Sequence, residues 1–244
     1  MVGNLKNECE QWVKSLITAP KNERDMQVQL AVYLKSLGYI VHTEYAVPLK
    51  MLTSYGISVP EYSKDRWSTP DVFPWHNQMY LDIVVEKSGE FAVIELKYAT
   101  TRIDTSIHIF NQLPPEGVEI IKHHGAADLV MYNYWKDVRR IEAVSRFPDV
   151  IGGVAIIITN DKIYWNAQDT TSGYLPFSTH EGNCIGGNLL TWGNTIGEKI
   201  RKSHPDFLLD GKYQCHWTDT NITAKAKKDK APFKYMISTI LSNE

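Results

Sequence analysis

The segment LDIVVEKSGEFAVIELKY, residues 81–98, contains two apolar stretches separated by a short polar turn. The enrichment in Val, Ile, Phe and Tyr predicts two strands, and the Ser-Gly pair at 88–89 predicts a hairpin between them. Three charged side chains, Asp82, Glu95 and Lys97, lie inside these strands. Because strands this apolar are expected to be covered on both faces, charges at these positions need an explanation.

The position of the turn fixes which residues face each other. A hairpin that turns at residues 88–89 places Asp82 opposite Glu95. Directly opposite residues share one face of a sheet, with Cβ atoms about 4.5–5.5 Å apart. Lys97 follows Glu95 by two positions, so strand alternation puts it on the same face. The register therefore predicts two carboxylates and one ammonium group together, whereas a bulge would separate them.

Two carboxylates this close resist joint ionisation, and a divalent cation between them would relieve the repulsion. Hard oxygen ligands without a neighbouring Cys or His favour Mg²⁺, or Mn²⁺ as a substitute, over zinc. Such an ion would admit an anionic phosphodiester, polarise a phosphoryl oxygen and generate hydroxide from a bound water. Lys97 could then orient the water or stabilise charge that develops on the phosphate.

A simpler interpretation is a solvated sheet face with a cross-strand salt bridge. The pattern Glu-x-Lys alone has little weight, because a chain of this length contains about one by chance. The apolar neighbours Ile94, Leu96 and Tyr98 favour a buried site instead, since charges buried without a purpose are rare.

The pattern of apolar residues around the hairpin predicts an α/β fold with a central mixed sheet flanked by helices. The predicted elements are a helix at 23–37, a strand at 39–49, the hairpin, a helix at 127–147, a strand from 150, a turn at 160–161 and a short strand after it. We expect a single domain over residues 1–244. Its core spans about 23–166, with an insertion at about 50–78 and a C-terminal β-rich extension at about 167–244.

Asp82 together with Glu95-Leu96-Lys97 resembles the PD-(D/E)xK motif of the restriction-endonuclease-like nucleases. The resemblance implies an αβββαβ core with a central mixed sheet. It also implies that Asp82 and Glu95 bind Mg²⁺, that the backbone carbonyl of Leu96 joins them, and that Lys97 assists the attacking water.

The same resemblance implies a further acidic residue on the first core helix. Glu23 is the candidate, with Gln27 one turn later as the alternative. The segment KHHGAADLVMYNYWKDVRRIE also resembles a helix segment in uncharacterised bacterial relatives of this group. There the helix carries polar groups toward the site, and Lys136, Asp137 or Arg139 could do so here.

The chain departs from the motif in one respect, because Leu81 stands where the literal pattern has Pro. A literal Pro-Asp pair occurs at 70–71, but in an irregular segment that does not pair with the Glu-x-Lys strand. Asp82 is therefore the better candidate on geometric grounds.

The resemblance implies a Mg²⁺-dependent nuclease, foremost a DNA endonuclease, with nucleic acid as its partner. A homodimer is possible, because cutting two strands needs two sites. One alternative is a non-catalytic nucleic-acid-binding or assembly module with the same fold. Another is a small-molecule or structural role in which the charges form an ordinary salt bridge.

The composition neither requires nor excludes a polyanionic partner, since the net charge is −2. A lysine-rich run at 225–230 could contact a phosphate backbone. The three cysteines are widely spaced and no stretch approaches the roughly 18 apolar residues of a membrane span. Together with the lack of an apolar secretory signal, these features predict a cytoplasmic protein.

Overall fold

The computed structural model describes residues 1–55, 78–101, 103, 110–112, 121, 125–167, 169–222 and 232–242. Most of the predicted insertion, the Pro-Asp pair at 70–71 and the lysine-rich run at 225–230 lie outside the described residues.

The described chain contains both helices and strands. The helices are α1 (Val2–Ser15), α2 (Glu23–Ser36), α3 (Leu49–Ser54), α4 (Ala127–Val144) and α5 (Glu198–Ser203), with 3₁₀ turns at Lys162–Tyr164 and Leu175–Phe177. The strands are β1 (Ile40–Pro48), β2 (Gln78–Lys87), β3 (Glu90–Ala99), β4 (Val150–Thr159), β5 (Cys184–Gly186), β6 (Leu189–Leu190), β7 (Phe207–Leu208), β8 (Lys212–Gln214), β9 (Thr218–Asp219) and β10 (Lys234–Leu241).

The largest sheet has the order β1-β2-β3-β4-β10-β9. Strands β3 and β4 are parallel, and the other neighbours are antiparallel. The prediction of an α/β fold with a central mixed sheet flanked by helices is therefore confirmed. Helix α2, β1, β2, β3, α4 and β4 follow one another in the predicted order, with the short α3 between β1 and β2.

Two local features differ from the prediction. The segment after the turn at 160–161 is a 3₁₀ turn rather than a strand, because Asp161 accepts a hydrogen bond from the Ile163 N–H and curls the chain. Helix α1 was not predicted, although its residues Leu5, Cys9 and Trp12 are buried at helical spacing.

The hairpin between β2 and β3 has the predicted register. Ser88 and Gly89 both have positive φ, at 58° and 81°, as a two-residue hairpin turn requires. The backbone pairs run from Lys87 with Glu90 to Ile83 with Ile94. The turn therefore sets the alignment of every residue in the two strands.

Neighbouring residues of β3 point to opposite faces of the sheet. Val93 belongs to a core cluster that includes Trp135 of α4, whereas Ile94 belongs to a cluster that includes Leu5 of α1 and Leu30 of α2. Burying such side chains contributes about 1.5–3 kcal/mol each. Helices thus cover β3 on both faces, as its apolar sequence predicts.

The C-terminal part of the chain packs against α4. Tyr132 of α4 contacts the rings of Phe177, Trp192 and Phe207, with ring centroids 5.1–5.3 Å away. A polar group that we name the C-terminal clamp consists of Arg139, Glu142, Arg146 and Asp210. No helix in the described ranges is long and apolar enough to cross a membrane.

Candidate functional site

The candidate site lies where β2 and β3 stop pairing through their backbones. The last paired residues are Ile83 and Ile94. One position beyond Ile83, the Asp82 carboxylate replaces a backbone partner: its Oδ2 accepts a hydrogen bond from the Leu96 N–H at 2.7 Å. On the other side of β2, Glu44 has a φ of 51° and interrupts the pairing with β1 at the same level. Side chains therefore replace backbone partners at this point, which we call the notch.

The first turns of α2 reach the notch from one side. Gln27 Nε2 donates to the carbonyl of Asp82 at 2.6 Å and to Glu44 Oε1 at 3.0 Å. Glu23 Oε2 accepts a hydrogen bond from the Tyr98 N–H at 2.9 Å. The two residues predicted as alternatives thus occupy different positions: Gln27 holds β2, whereas Glu23 lies against β3.

Helix α4 closes the other side of the site. Lys97 Nζ lies 3.0 Å from Asp137 Oδ2 and 3.8 Å from Glu23 Oε1. Glu95 Oε2 lies 3.2 Å from Arg140 Nη1, which also contacts Asp137 Oδ1 at 3.1 Å. Glu95 and Lys97 therefore face the same helix, as strand alternation predicts.

Lys136, Asp137 and Arg139 were suggested on the second core helix, which is α4. Of these three, only Asp137 contacts the Lys97 side chain. Lys136 lies over the ring of Tyr132, at 5.9 Å from its centroid, and Arg139 belongs to the C-terminal clamp. Arg140 was missed, although a signal was present in the sequence. Asp137, Arg140 and Val144 recur at helical spacing, so the two charges lie on a stripe that continues into the core.

We name the resulting group the acid cluster. Its members are the carboxylates of Glu23, Asp82, Glu95 and Asp137 and the cations of Lys97 and Arg140. Four acids against two bases leave the cluster negative when every member is ionised.

Burial makes this excess charge costly. The Glu95 side chain is only 1% exposed, and its Oε1 has no hydrogen-bond partner among the described residues. Burial raises the pKa of Glu95 well above its ordinary value; Arg140 opposes the rise, whereas Asp82 and Asp137 add to it. Burial also raises the pKa of Asp82, and the charge of Asp137 raises it further.

The pKa values of Glu23 and Lys97 depend on a different balance of burial, solvent and charge. Burial raises the pKa of Glu23, but 43% of that side chain is exposed, so solvent screens part of the effect. Burial lowers the pKa of Lys97, but Asp137 and Glu23 outweigh it and the pKa is raised overall. Lys97 therefore remains an ammonium ion at neutral pH, which suits it to stabilise negative charge and not to remove a proton.

The donor set of the acid cluster fits a hard divalent cation, because it consists of carboxylate oxygens. Among the described residues Glu95 Oε1 has no hydrogen-bond partner, and Asp82 uses only Oδ2 in its bond to Leu96. Within the part of the chain that the structure describes, no three His, Cys, Asp or Glu side chains form a ready-made metal cage. The acids are instead held by groups of the protein: Asp82 and Glu23 by backbone N–H groups, and Glu95 by Arg140.

Comparison of the chain with models of known protein families, with curated proteins and with solved structures found no match. The functional proposal is therefore based on the chemistry of the acid cluster.

Proposed function

We propose that this protein is a Mg²⁺-dependent phosphodiesterase that hydrolyses nucleic acid, foremost a DNA endonuclease. The observation that carries the proposal is Glu95. It is an almost fully buried carboxylate with one unpaired oxygen, inside a cluster of four acids and two bases. A buried negative charge of this kind is stabilised by a cation, and perturbed carboxylates of this kind concentrate at functional sites.

The fold supports the same proposal. We infer that the segment from α2 to β4 is a restriction-endonuclease-like αβββαβ core, because its helices and strands follow that order around a mixed sheet. Asp82 and Glu95, the two acids of the motif, lie on its second and third strands, β2 and β3.

In the proposed reaction, Asp82 and Glu95 would hold the metal ion together with the backbone carbonyl of Leu96. A bound Mg²⁺ would supply charge neutralisation, polarisation of a phosphoryl oxygen and a more acidic water. Lys97, fixed by Asp137 at 3.0 Å, orients the attacking water and stabilises charge on the phosphate. Glu23 supports Lys97 from the opposite side, at 3.8 Å.

A second function has one observation in its favour. Asp82, Glu23 and Glu95 all have partners within the protein, so the acid cluster also serves to close the notch where β2 leaves β3. This is the arrangement expected of a non-catalytic nucleic-acid-binding or assembly module with the same fold, in which the acids are structural.

The two proposals differ in their response to metal and to substrate. For the nuclease, Mn²⁺ stabilises the wild type by about 2.7 kcal/mol at an ion concentration one hundred times Kd. Plasmid or single-stranded DNA is then cleaved in Mg²⁺ or Mn²⁺. We expect Asp82→Asn to lose both effects, because it removes a metal ligand. The measurements are thermal unfolding with and without Mn²⁺ and gel assays of cleavage.

Asp210→Asn is the matched control, since it makes the same change in the C-terminal clamp and should keep both effects. Nucleic-acid binding without cleavage at any metal concentration would favour the non-catalytic module. Cleavage that survives in Asp82→Asn would show that the proposed metal site is wrong.

The partner, assembly state and location remain proposals of the same kind. DNA is the proposed substrate, and a homodimer would allow both strands to be cut. The cysteines Cys9, Cys184 and Cys215 are free thiols, which is compatible with the predicted cytoplasmic location.

A further inference from the structure

Arg140 occupies a central position in the acid cluster. Its Nη1 donates to Glu95 Oε2 at 3.2 Å and to Asp137 Oδ1 at 3.1 Å, and its Nη2 donates to the carbonyl of Tyr80. The side chain is 14% exposed. One guanidinium group of α4 therefore connects this helix to β2 and β3 within the acid cluster.

Both cations of the cluster contact Asp137, but they differ in the second acid that each one contacts. Lys97 is held mainly by Asp137, whereas Arg140 contacts Glu95, the acid proposed to bind metal. Arg140 is thus the counter-ion on Glu95 Oε2, next to the Oε1 atom that a divalent cation would use. Two cations beside one carboxylate repel each other. An arginine cannot relieve that repulsion by losing a proton, but it can do so by moving away from Glu95.

We propose that Arg140 is an exchangeable counter-ion: it neutralises Glu95 until a divalent cation binds, and then turns to the phosphate of the nucleic acid. This inference rests on the proposed metal-dependent function. Asp137 and the Tyr80 carbonyl keep the guanidinium at the site after it leaves Glu95. Its planar fork of N–H groups then matches two oxygens of a phosphate. Metal binding and substrate binding are thereby coupled through one side chain.

The exchange predicts opposite effects on two measurements. In Arg140→Gln the competing charge is absent, so we expect Mn²⁺ to bind at least about tenfold more tightly. Cleavage of DNA at saturating Mn²⁺ should fall at least about tenfold, because a phosphate contact is lost. A merely structural role would weaken both, since loosening the site harms metal binding as well as catalysis. The measurements are calorimetric titration with Mn²⁺ alone and single-turnover cleavage.

Arg139→Gln is the matched control. Arg139 is the next residue of α4 and also binds two carboxylates, Glu142 at 3.2 Å and Asp210 at 2.6 Å, but outside the acid cluster. The Arg139→Gln substitution should change neither the Mn²⁺ affinity nor the rate of DNA cleavage. If Arg140→Gln does not fold, Arg140→Lys serves in its place. Lysine keeps the charge and loses the fork, so we expect a smaller gain in Mn²⁺ affinity and a smaller loss of cleavage.

The outcomes separate this inference from the proposed function. A wild type that binds Mn²⁺ and cleaves, with Mn²⁺ affinity unchanged or weakened in the Arg140 variants, would overturn the exchange alone. Tighter Mn²⁺ binding with unchanged cleavage would overturn the phosphate contact. A wild type that binds no Mn²⁺ would overturn both the exchange and the metal-dependent function.

Discussion

Helix α4 carries two polar groups that differ in charge balance. On the side facing β3, the acid cluster contains four carboxylates and two cations, and Glu95 keeps an unpaired oxygen. On the side facing the C-terminal segment, the clamp contains two carboxylates and two arginines. There Glu142 accepts hydrogen bonds from the Gly211 N–H at 2.8 Å and the Tyr213 hydroxyl at 2.9 Å.

The pKa values follow this difference. Burial raises the pKa of Glu95 well above its ordinary value, despite Arg140. Burial would also raise the pKa of Asp210, but Arg139 and Arg146 outweigh it and lower the pKa. Most buried polar groups are hydrogen-bonded, and strongly perturbed carboxylates concentrate at functional sites. This difference is the reason to place the proposed metal site in the acid cluster and not in the C-terminal clamp.

The largest expected difference between the two groups is in activity. If the protein is a nuclease, Lys97→Met should reduce DNA cleavage at least about 100-fold, because the ammonium group stabilises charge on the phosphate. Arg146→Met, its counterpart in the clamp, should leave cleavage nearly unchanged. Single-turnover assays at saturating Mn²⁺ provide the test. Equal rates for Lys97→Met and the wild type would remove Lys97 from the mechanism.

A smaller effect of opposite sign is expected in stability. Glu142→Gln should lower the free energy of unfolding by about 2 kcal/mol, because it weakens several hydrogen bonds to a buried carboxylate. Glu95→Gln should raise it at neutral pH without divalent ions, since a buried charge is removed while an acceptor for Arg140 remains. Equilibrium unfolding in urea measures both. If both substitutions destabilise the protein alike, the acid cluster is a structural group like the clamp.

The smallest effect concerns the pH dependence of stability. Because the pKa of folded Glu95 is raised, the wild type should lose stability relative to Glu95→Gln as the pH rises above the unfolded value of about 4.3. Because the pKa of Asp210 is lowered, its advantage over Asp210→Asn should be present above about 3.9 and lost as the pH falls through the lowered pKa. Urea unfolding at a series of pH values would detect the opposite slopes, and parallel curves would contradict the distinction.

The sequence predicted the hairpin and its alignment because both depend on local signals. A Gly-containing two-residue turn permits one register, and that register decides which side chains share a face. It did not predict that backbone pairing ends at Ile83 and Ile94, where Asp82 binds the Leu96 N–H instead. At the same level of the sheet, Glu44 of the neighbouring strand β1 has a positive φ, a feature outside the hairpin that residues 81–98 do not specify.

The part played by α4 could be predicted only in outline. Helical spacing places Asp137 and Arg140 on one face, but it does not show which strand residues they meet. The choice of Arg140 over Arg139 depends on the rotation of the helix against β3, which side-chain packing determines. The C-terminal segment was even harder to predict from the sequence. Its strands up to β9 are only two or three residues long and show little periodicity.

The insertion of β10 between β4 and β9 has a consequence for biosynthesis. During translation, β4 emerges early and can pair with β3, but its other edge stays without a partner until the ribosome has passed Leu241. Such an exposed edge invites wrong partners, and pairing between distant segments closes slowly. The largest sheet therefore stays incomplete until β10 has been made, and shielding of the β4 edge during that interval would favour correct pairing.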